Sequence, residues 1–301
     1  MAERVLVTGA TGFIGVPLVE ELRRRGHEVV ALDGPPGTGR GGPASNDGRL
    51  DLRDSDATRH AVLDAAPCRI VHLAAVHFIP WCAAHPAETV AVNVLGTQHL
   101  LDAAAEAGCE RLLLASTGDV YAPSERRHRE DDRTAPINVY GASKLAAEQL
   151  VRLAPLAADV ARLFNVYGPG ETNPHVIPEL FGQMRRGDVL RLGNTEARRD
   201  YVYLDDAVAA LVAFCEREGP ALVANVGTGV AESVDGLVRR LRRLTGRGLR
   251  VEVDRSRLRP SDRPVLCADR GRLGELLGTS ELTPLDEGLR RTLVGCGVSE
   301  R

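Results

Sequence analysis

"RVLVTGATGFIGVPLVEELRRRG", residues 4–26, decides how the rest of the chain is read. The short apolar run RVLVTGA is a buried strand, and GVPLVEELRRRG is a helix with Val16, Val19 and Leu22 on one side and charge on the other. Between them stand Gly9, Gly12 and Gly15. Glycines so placed allow a tight turn and a close approach of backbone to a pyrophosphate, which then rests at the positive end of the helix. The next apolar run, EVVALD, closes on Asp33, where a carboxylate can accept both ribose hydroxyls of an adenosine and repel a 2′-phosphate. The stretch therefore predicts a dinucleotide site that takes NAD in preference to NADP. Arg40, in the Gly/Pro loop GPPGTGRGGP (34–43), is the opposing charge.

Outward from this stretch the alternation repeats. RIVHLAA (69–75), RLLLAST (111–117) and DVARLFNVYG (159–168) read as strands, NVLGTQHLLDAAAEAG (93–108) and SKLAAEQLVRLA (143–154) as helices. Strands apolar on both faces that alternate with helices predict an α/β, doubly wound parallel sheet. From Gly168 the pattern loosens: Pro169, Pro174 and Pro178 break any helix, and the chain after VANVGTG is arginine-rich with short strands. Residues 1–167 are thus expected to form the nucleotide-binding domain, with 203–226, including the helix YLDDAVAALVAFCE, returning to it. Residues 168–202 and 227–301 would form a smaller C-terminal lobe.

With 301 residues, 44% of them hydrophobic, the chain can bury a substantial core. A formal charge of −3 gives none of the basic surface that nucleic acid demands, so no nucleic-acid partner is expected. No apolar run reaches the roughly 18 residues of a membrane span, and MAERVLV shows no signal peptide, so a cytoplasmic protein away from membranes is expected. Its six cysteines contain no CxxC pair, which fits reduced thiols and no metal site.

Lys144, in NVYGASKLAA (138–147), is the sole lysine of a chain that otherwise puts its positive charge on arginine. It follows Tyr140 by four residues, one helical turn, so both side chains leave the same face. An ammonium beside a phenol favours the phenolate, and a base that takes a hydroxyl proton near neutrality needs that help. Arginine would supply charge but not a compact three-donor point that also reaches a ribose hydroxyl.

With these residues in hand the chain resembles the extended short-chain dehydrogenase/reductase family, and within it the NAD-dependent nucleotide-sugar epimerase/dehydratase group. The resemblance rests on GATGFIG, Asp33, DLRD (51–54), HLAA (72–75), NVLGT (93–97), STGDVYA (116–122), YGASK (140–144), RLFNVYGPG (162–170), RRDYVYLDD (198–206), NVGTG (225–229) and RPSD (259–262). It implies a Rossmann domain with a substrate-binding C-terminal lobe. Gly9, Thr11, Gly12, Phe13, Ile14, Gly15 and Asp33 would hold NAD, Asp51 and Leu52 would contact the adenine, and Leu73, Ala74, Ala75 and Phe164 would line the groove. Asn93 would support the central helix and strand of this cofactor site. Thr117 would hydrogen-bond the reacting sugar hydroxyl, Tyr140 would be the base, and Lys144 would lower its pKa and hold the nicotinamide ribose. Asn165, His175, Arg199 and Arg259 would grip a nucleotide-diphosphate sugar, the arginines through paired charge-assisted hydrogen bonds.

Departures from the family pattern point to one of its reactions. Related 4,6-dehydratases carry an Asp-Glu pair directly after the threonine, where this chain has Gly118 and Asp119. Glycine has no proton to give, which disfavours elimination and favours a 4-epimerase that oxidises C4 and re-reduces it. VHFIPWCAAHP (76–86) has Pro80 and Cys82 where many relatives have arginine and serine, so the sugar is not named by it; His77, Phe78 and Trp81 are candidates to face it. A 4-keto-sugar reductase, a dehydratase and a non-catalytic dinucleotide sensor are the alternatives. Relatives often pair through helices that correspond to 90–107 and 140–153, so a homodimer is expected.

Overall fold

The computed structural model describes residues 3–34, 49–257, 263–279 and 281–297. Arg40, Arg259 and the RPSD motif lie outside the described residues. The strands, in chain order, are β1 (Arg4–Thr8), β2 (Glu28–Leu32), β3 (Arg69–His72), β4 (Arg111–Thr117), β5 (Ala157–Leu163), β6 (Asn165–Tyr167), β7 (Val189–Leu192), β8 (Arg198–Tyr203), β9 (Val223–Val226), β10 (Ala231–Ser233), β11 (Arg250–Val253) and β12 (Val265–Leu266). The helices are α1 (Gly15–Arg24), α2 (Ser55–Ala65), α3 (Ile79–Ala84), α4 (Pro86–Val90), α5 (Gly96–Glu106), α6 (Val139–Leu153), α7 (Val176–Met184), α8 (Leu204–Glu216), α9 (Val234–Thr245), α10 (Gly271–Leu277) and α11 (Leu285–Gly295).

Six parallel strands form the main sheet in the order β2-β1-β3-β4-β5-β9. The alternation along β1 explains its two layers. Val5 and Val7 face the cluster that contains Leu18 and Leu22 of α1 and Leu211 of α8, whereas Leu6 faces the cluster of Val62, Leu100 and Val151. After β1 the chain turns to β2 on one side and then crosses to β3 on the other, so the strand order reverses between β1 and β3. A crevice opens at the carboxyl ends of strands at such a switch point, and the Gly9 turn and the Leu73–Ala75 segment both leave the sheet there.

Four details differ from the sequence reading. Val16 is 45% exposed, and the buried stripe of α1 is Gly15, Leu18, Val19 and Leu22. The α6 helix begins at Val139, because the Asn138 side chain accepts a hydrogen bond from Gly141 N at 2.7 Å and caps it there. DVARLFNVYG is not one strand: it breaks at Phe164, and β6 leaves the main sheet to pair with β8. Pro178 does not prevent a helix, since it falls in the first turn of α7, where amides have no intrahelical acceptor.

Beyond β6, strands β8, β10 and β12 form a smaller sheet, and α7, α9 and α11 pack against it around Leu180, Leu237 and Leu289. Buried Asp200 of β8 ties this region together. Its carboxylate accepts from Thr228 N and Oγ1 at 2.8 and 2.6 Å, Gly229 N at 2.8 Å and Ala268 N at 3.1 Å. Helix α8 and strand β9 return to the main sheet.

Candidate active site

Two close contacts give the first turn its glycines. Gly9 has φ +72, and a Cβ there would lie 2.8 Å from Ala74 N; a Cβ at Gly15 would lie 2.1 Å from the Gly9 carbonyl oxygen. Side chains at either position would part β1 from β3 or lift α1 off the turn. At Gly12 the corresponding distance to the same oxygen is 3.2 Å, a tight but lesser constraint. Thr11 donates its hydroxyl to Asp33 Oδ2 across the mouth of the turn, while Phe13 and Ile14 pack inward on the core. Burial pushes the Asp33 carboxyl above its usual range against a hydrogen bond from Gly34 N. The bare backbone cradle and the half-buried carboxylate beside it fit a dinucleotide's pyrophosphate and adenosine ribose. Asp51 is held by Arg53 at 2.6 Å and lies below the usual carboxylate range for that reason, and Leu52 is buried beneath Gly96.

The groove wall is fixed from behind by a directed chain of hydrogen bonds. Thr97 Oγ1 donates to Asn93 O at 2.7 Å, so it accepts from His72 Nε2 at 3.1 Å, and His72 Nδ1 then accepts from Thr8 Oγ1 at 2.7 Å. Burial, reinforced by the charge of Lys144, pushes His72 down to about 3, so it is neutral, as this chain of bonds requires. Leu73 N and Ala74 N bond Thr8 O and Oγ1 at 3.1 and 3.3 Å, and Ala75 continues the wall. Asn93, buried in a π-helical turn at Ala91–Leu95, accepts from Val76 N and donates to Val76 O, both at 2.8 Å, and donates to Ser143 Oγ at 3.0 Å. Ser143 in turn donates to Tyr140 O at 2.8 Å. Asn93 thus commits its amide to the protein and fixes the start of α6 against the loop after β3.

Thr117 closes β4, buried, and its hydroxyl accepts from Asp119 N at 3.2 Å. Tyr140 faces it from α6. Burial raises the phenol above its usual value, the Asp119 carboxylate raises it further, and a hydrogen bond with Thr117 opposes both. The lowering expected from Lys144 is not among the influences on the phenol of the ligand-free site, where removal from water is the largest. Lys144 is 1% exposed and, among the described residues, its ammonium makes no hydrogen bond or ion pair. Burial lowers it to about 8, against the pull of Glu148.

On the far side of the cleft, His77 Nε2 and Asn173 Nδ2 are 3.1 Å apart, and His175 meets Glu171 at 2.6 Å. The two imidazoles meet edge-on at 6.1 Å, and Phe78 lies 6.2 Å from His175. Burial and the neighbouring His175 push His77 down to about 4, and the Lys144 charge adds a smaller push in the same direction. Trp81 stacks on His85 at 3.8 Å. Asn165 opens β6, partly buried, and Arg199 donates to the Arg263 carbonyl at 2.8 Å.

Arg263 and Glu148 escaped the sequence reading. Asp119 is held by Asn138 Nδ2 at 3.2 Å and by the Arg263 guanidinium at 3.5 Å, and Arg263, 3% exposed, also caps Asp119 O and Tyr121 O at 2.8 Å. Behind Lys144, Glu148 takes both edges of Arg162, at 3.0 and 2.7 Å, and the Ser116 hydroxyl. The spacing of Glu148 four residues after Lys144 was the available signal.

Comparison with known proteins decides the family. Residues 5–227 match the NAD dependent epimerase/dehydratase family. This chain belongs to that family. A UDP-glucose 4-epimerase of Mycolicibacterium smegmatis is 33% identical over 96% of this chain and 97% of its own. UDP-glucuronic acid decarboxylase 1 of Xenopus tropicalis is 28% identical over 97% of this chain and 71% of its own. The Thermus thermophilus UDP-glucose 4-epimerase, solved in complex with NAD, superposes with a TM-score of 0.85 at 28% identity, covering 98% of this chain and 99% of that one. The family's enzymes use NAD, and the Gly9–Asp33 cradle fits it.

Proposed function

We propose that the chain is an NAD-dependent 4-epimerase of a nucleotide-diphosphate hexose. The observation that carries this reading is the space at Gly118. A Cβ there would lie 3.1–3.2 Å from three carbons of the Phe164 ring, so the ring crowds the place where an eliminating relative would keep its acid. Bound NAD would supply the hydride acceptor for C4 and return the hydride to the opposite face of the ketone.

The chain's own residues divide the remaining work. Thr117 hydrogen-bonds the C4 hydroxyl, and Tyr140 takes its proton and later gives it back. Lys144 brings the positive charge that favours the phenolate once substrate and cofactor replace water. Asn93 and Ser143 hold the first turn of α6 in place. Asn165, His77, His175, Arg199 and Arg259 are the candidates to grip the sugar and diphosphate. We also propose a homodimer through the faces of α4, α5 and α6, on or beside which Val90, Leu95 and Leu153 are 44%, 53% and 84% exposed; a monomeric mass in solution would overturn it.

One observation favours a second reading: the Asp119 carboxylate acts directly on Tyr140, which gives an elimination or decarboxylation a second acid–base group. Isotope fate separates the readings. With a substrate deuterated at C4, epimerisation leaves the label at C4 and admits no solvent deuterium to carbon. Label at C6 or solvent deuterium at C5 would overturn the epimerase and make Asp119 an elimination catalyst. Stoichiometric consumption of reduced cofactor would indicate a 4-keto-sugar reductase.

A further inference from the structure

The groups on which the charge of the chain's one lysine acts are themselves neutral at pH 7: burial pushes His72 on β3 down to about 3 and His77 in the following loop to about 4. Asp119, beyond Tyr140, is engaged by Arg263 and Asn138. That leaves Glu148, one helical turn behind Lys144, as the anion that acts on the ammonium. Its carboxylate is unusually well held. Arg162 of β5 takes it at both oxygens, at 3.0 and 2.7 Å, and Ser116 of β4 donates to it. Arg162 is itself fixed, through the Tyr121 hydroxyl and the Glu130 carbonyl, both at 2.9 Å, and lies over the Tyr121 ring at 4.8 Å. Tyr121 then donates to Asn225 Oδ1 at 2.6 Å.

We propose that Glu148 is a positioning residue for Lys144: a carboxylate locked by Arg162 and Ser116 whose partly offset charge keeps the buried ammonium protonated without pairing with it. An anion that paired directly would fold the lysine away from the cleft and satisfy it. An absent anion would leave burial unopposed, which drives a buried ammonium to deprotonate. Clamping the carboxylate from behind meets both requirements, because Arg162 absorbs its geometry and part of its field. For catalysis the consequence rests on the role of Lys144 proposed above; the electrostatic claim does not.

A single lysine makes the claim directly measurable. Protein grown on lysine carrying ¹³C at Cε gives one lysine resonance, and its shift against pH is the Lys144 titration. Glu148→Gln should lower the midpoint by roughly one unit, and Glu148→Asp, which keeps a charge at shorter reach, should lower it by less. Arg162→Lys, which keeps the cation, should leave the midpoint near that of the parent. A midpoint in Glu148→Gln equal to the parent's overturns the proposal. If that variant does not fold, Glu148→Asp decides alone: a lowered midpoint supports the proposal and an unmoved one overturns it. A Glu148 that served only the packing of α6 would alter stability and leave the titration where it was. Since no turnover is measured, the outcome is independent of whether the reaction is an epimerisation.

Discussion

The two ends of the main sheet handle buried charge in opposite ways. At the amino ends of the strands, Asp159 of β5 is fully buried and fully answered. Arg111 of β4 donates to one oxygen at 2.7 Å, and Arg217 and Leu222 N donate to the other at 2.9 and 2.7 Å. Arg69 of β3 is likewise closed by Glu3, Glu218 and the carbonyls of Cys215 and Arg217. At the carboxyl ends, where its charge acts on His72 of β3, Lys144 is as deeply buried and its ammonium makes no hydrogen bond or ion pair among the described residues. Satisfied burial serves the fold. Burial left open at a strand's carboxyl end is the mark of a site that waits for a ligand.

The largest effects should divide along this line. Tyr140→Phe should slow turnover by about 10²–10⁴-fold, the usual worth of a positioned base, and Lys144→Arg should fall in the same range although charge is kept. Neither should lower the urea midpoint much. Wild-type-like turnover in Lys144→Arg would show that a cation suffices and that the choice of lysine is incidental. Asp159→Ala should do the reverse. Leaving Arg111 and Arg217 without their carboxylate should cost about 3–5 kcal/mol of stability, while kcat per folded molecule stays that of the parent. A loss of turnover larger than the loss of folded protein would mean that the two ends are coupled.

The same division explains what was legible in the sequence. The glycines, Asp33, Tyr140 and Lys144 were readable because each answers a local demand: a turn, a strand end, a one-turn spacing. The main sheet was readable because both of its faces are buried, so its strands are continuous apolar runs. What escaped depends on contacts between distant segments. Arg263 reaches Asp119 across 144 residues, and Arg162 reaches Glu148 from another strand; no local pattern marks either arginine in a chain so rich in them. The break at Phe164 escaped for a related reason. The run DVARLFNVYG holds no proline or glycine before Gly168, and only the pairing of β6 with β8 shows where the chain changes sheets. The expected lowering of the Tyr140 phenol by Lys144 followed from spacing alone, and spacing carries no information about how dry the site is.

The stability of the ligand-free fold tests the comparison at its centre. If Lys144 is held open for function, its charge is a burden on the ligand-free fold, and Lys144→Met should stabilise that fold while destroying turnover. The size follows from the proton affinity. Lowering the lysine from 10.5 to about 8 corresponds, at about 1.4 kcal/mol per unit, to on the order of 3–4 kcal/mol at neutral pH. Its pH dependence has a definite sign. Between about 8 and 10.5 the unfolded parent binds a proton that the folded parent does not, so the parent gains stability as pH rises through that window. The advantage of Lys144→Met over the parent, measured by urea unfolding of the cofactor-free proteins, should therefore be largest below pH 8 and shrink steadily above it. An advantage that is absent at pH 7, or that does not change with pH, would show that the ammonium is as well satisfied as Arg111 and that the two ends of the sheet do not differ in the way described.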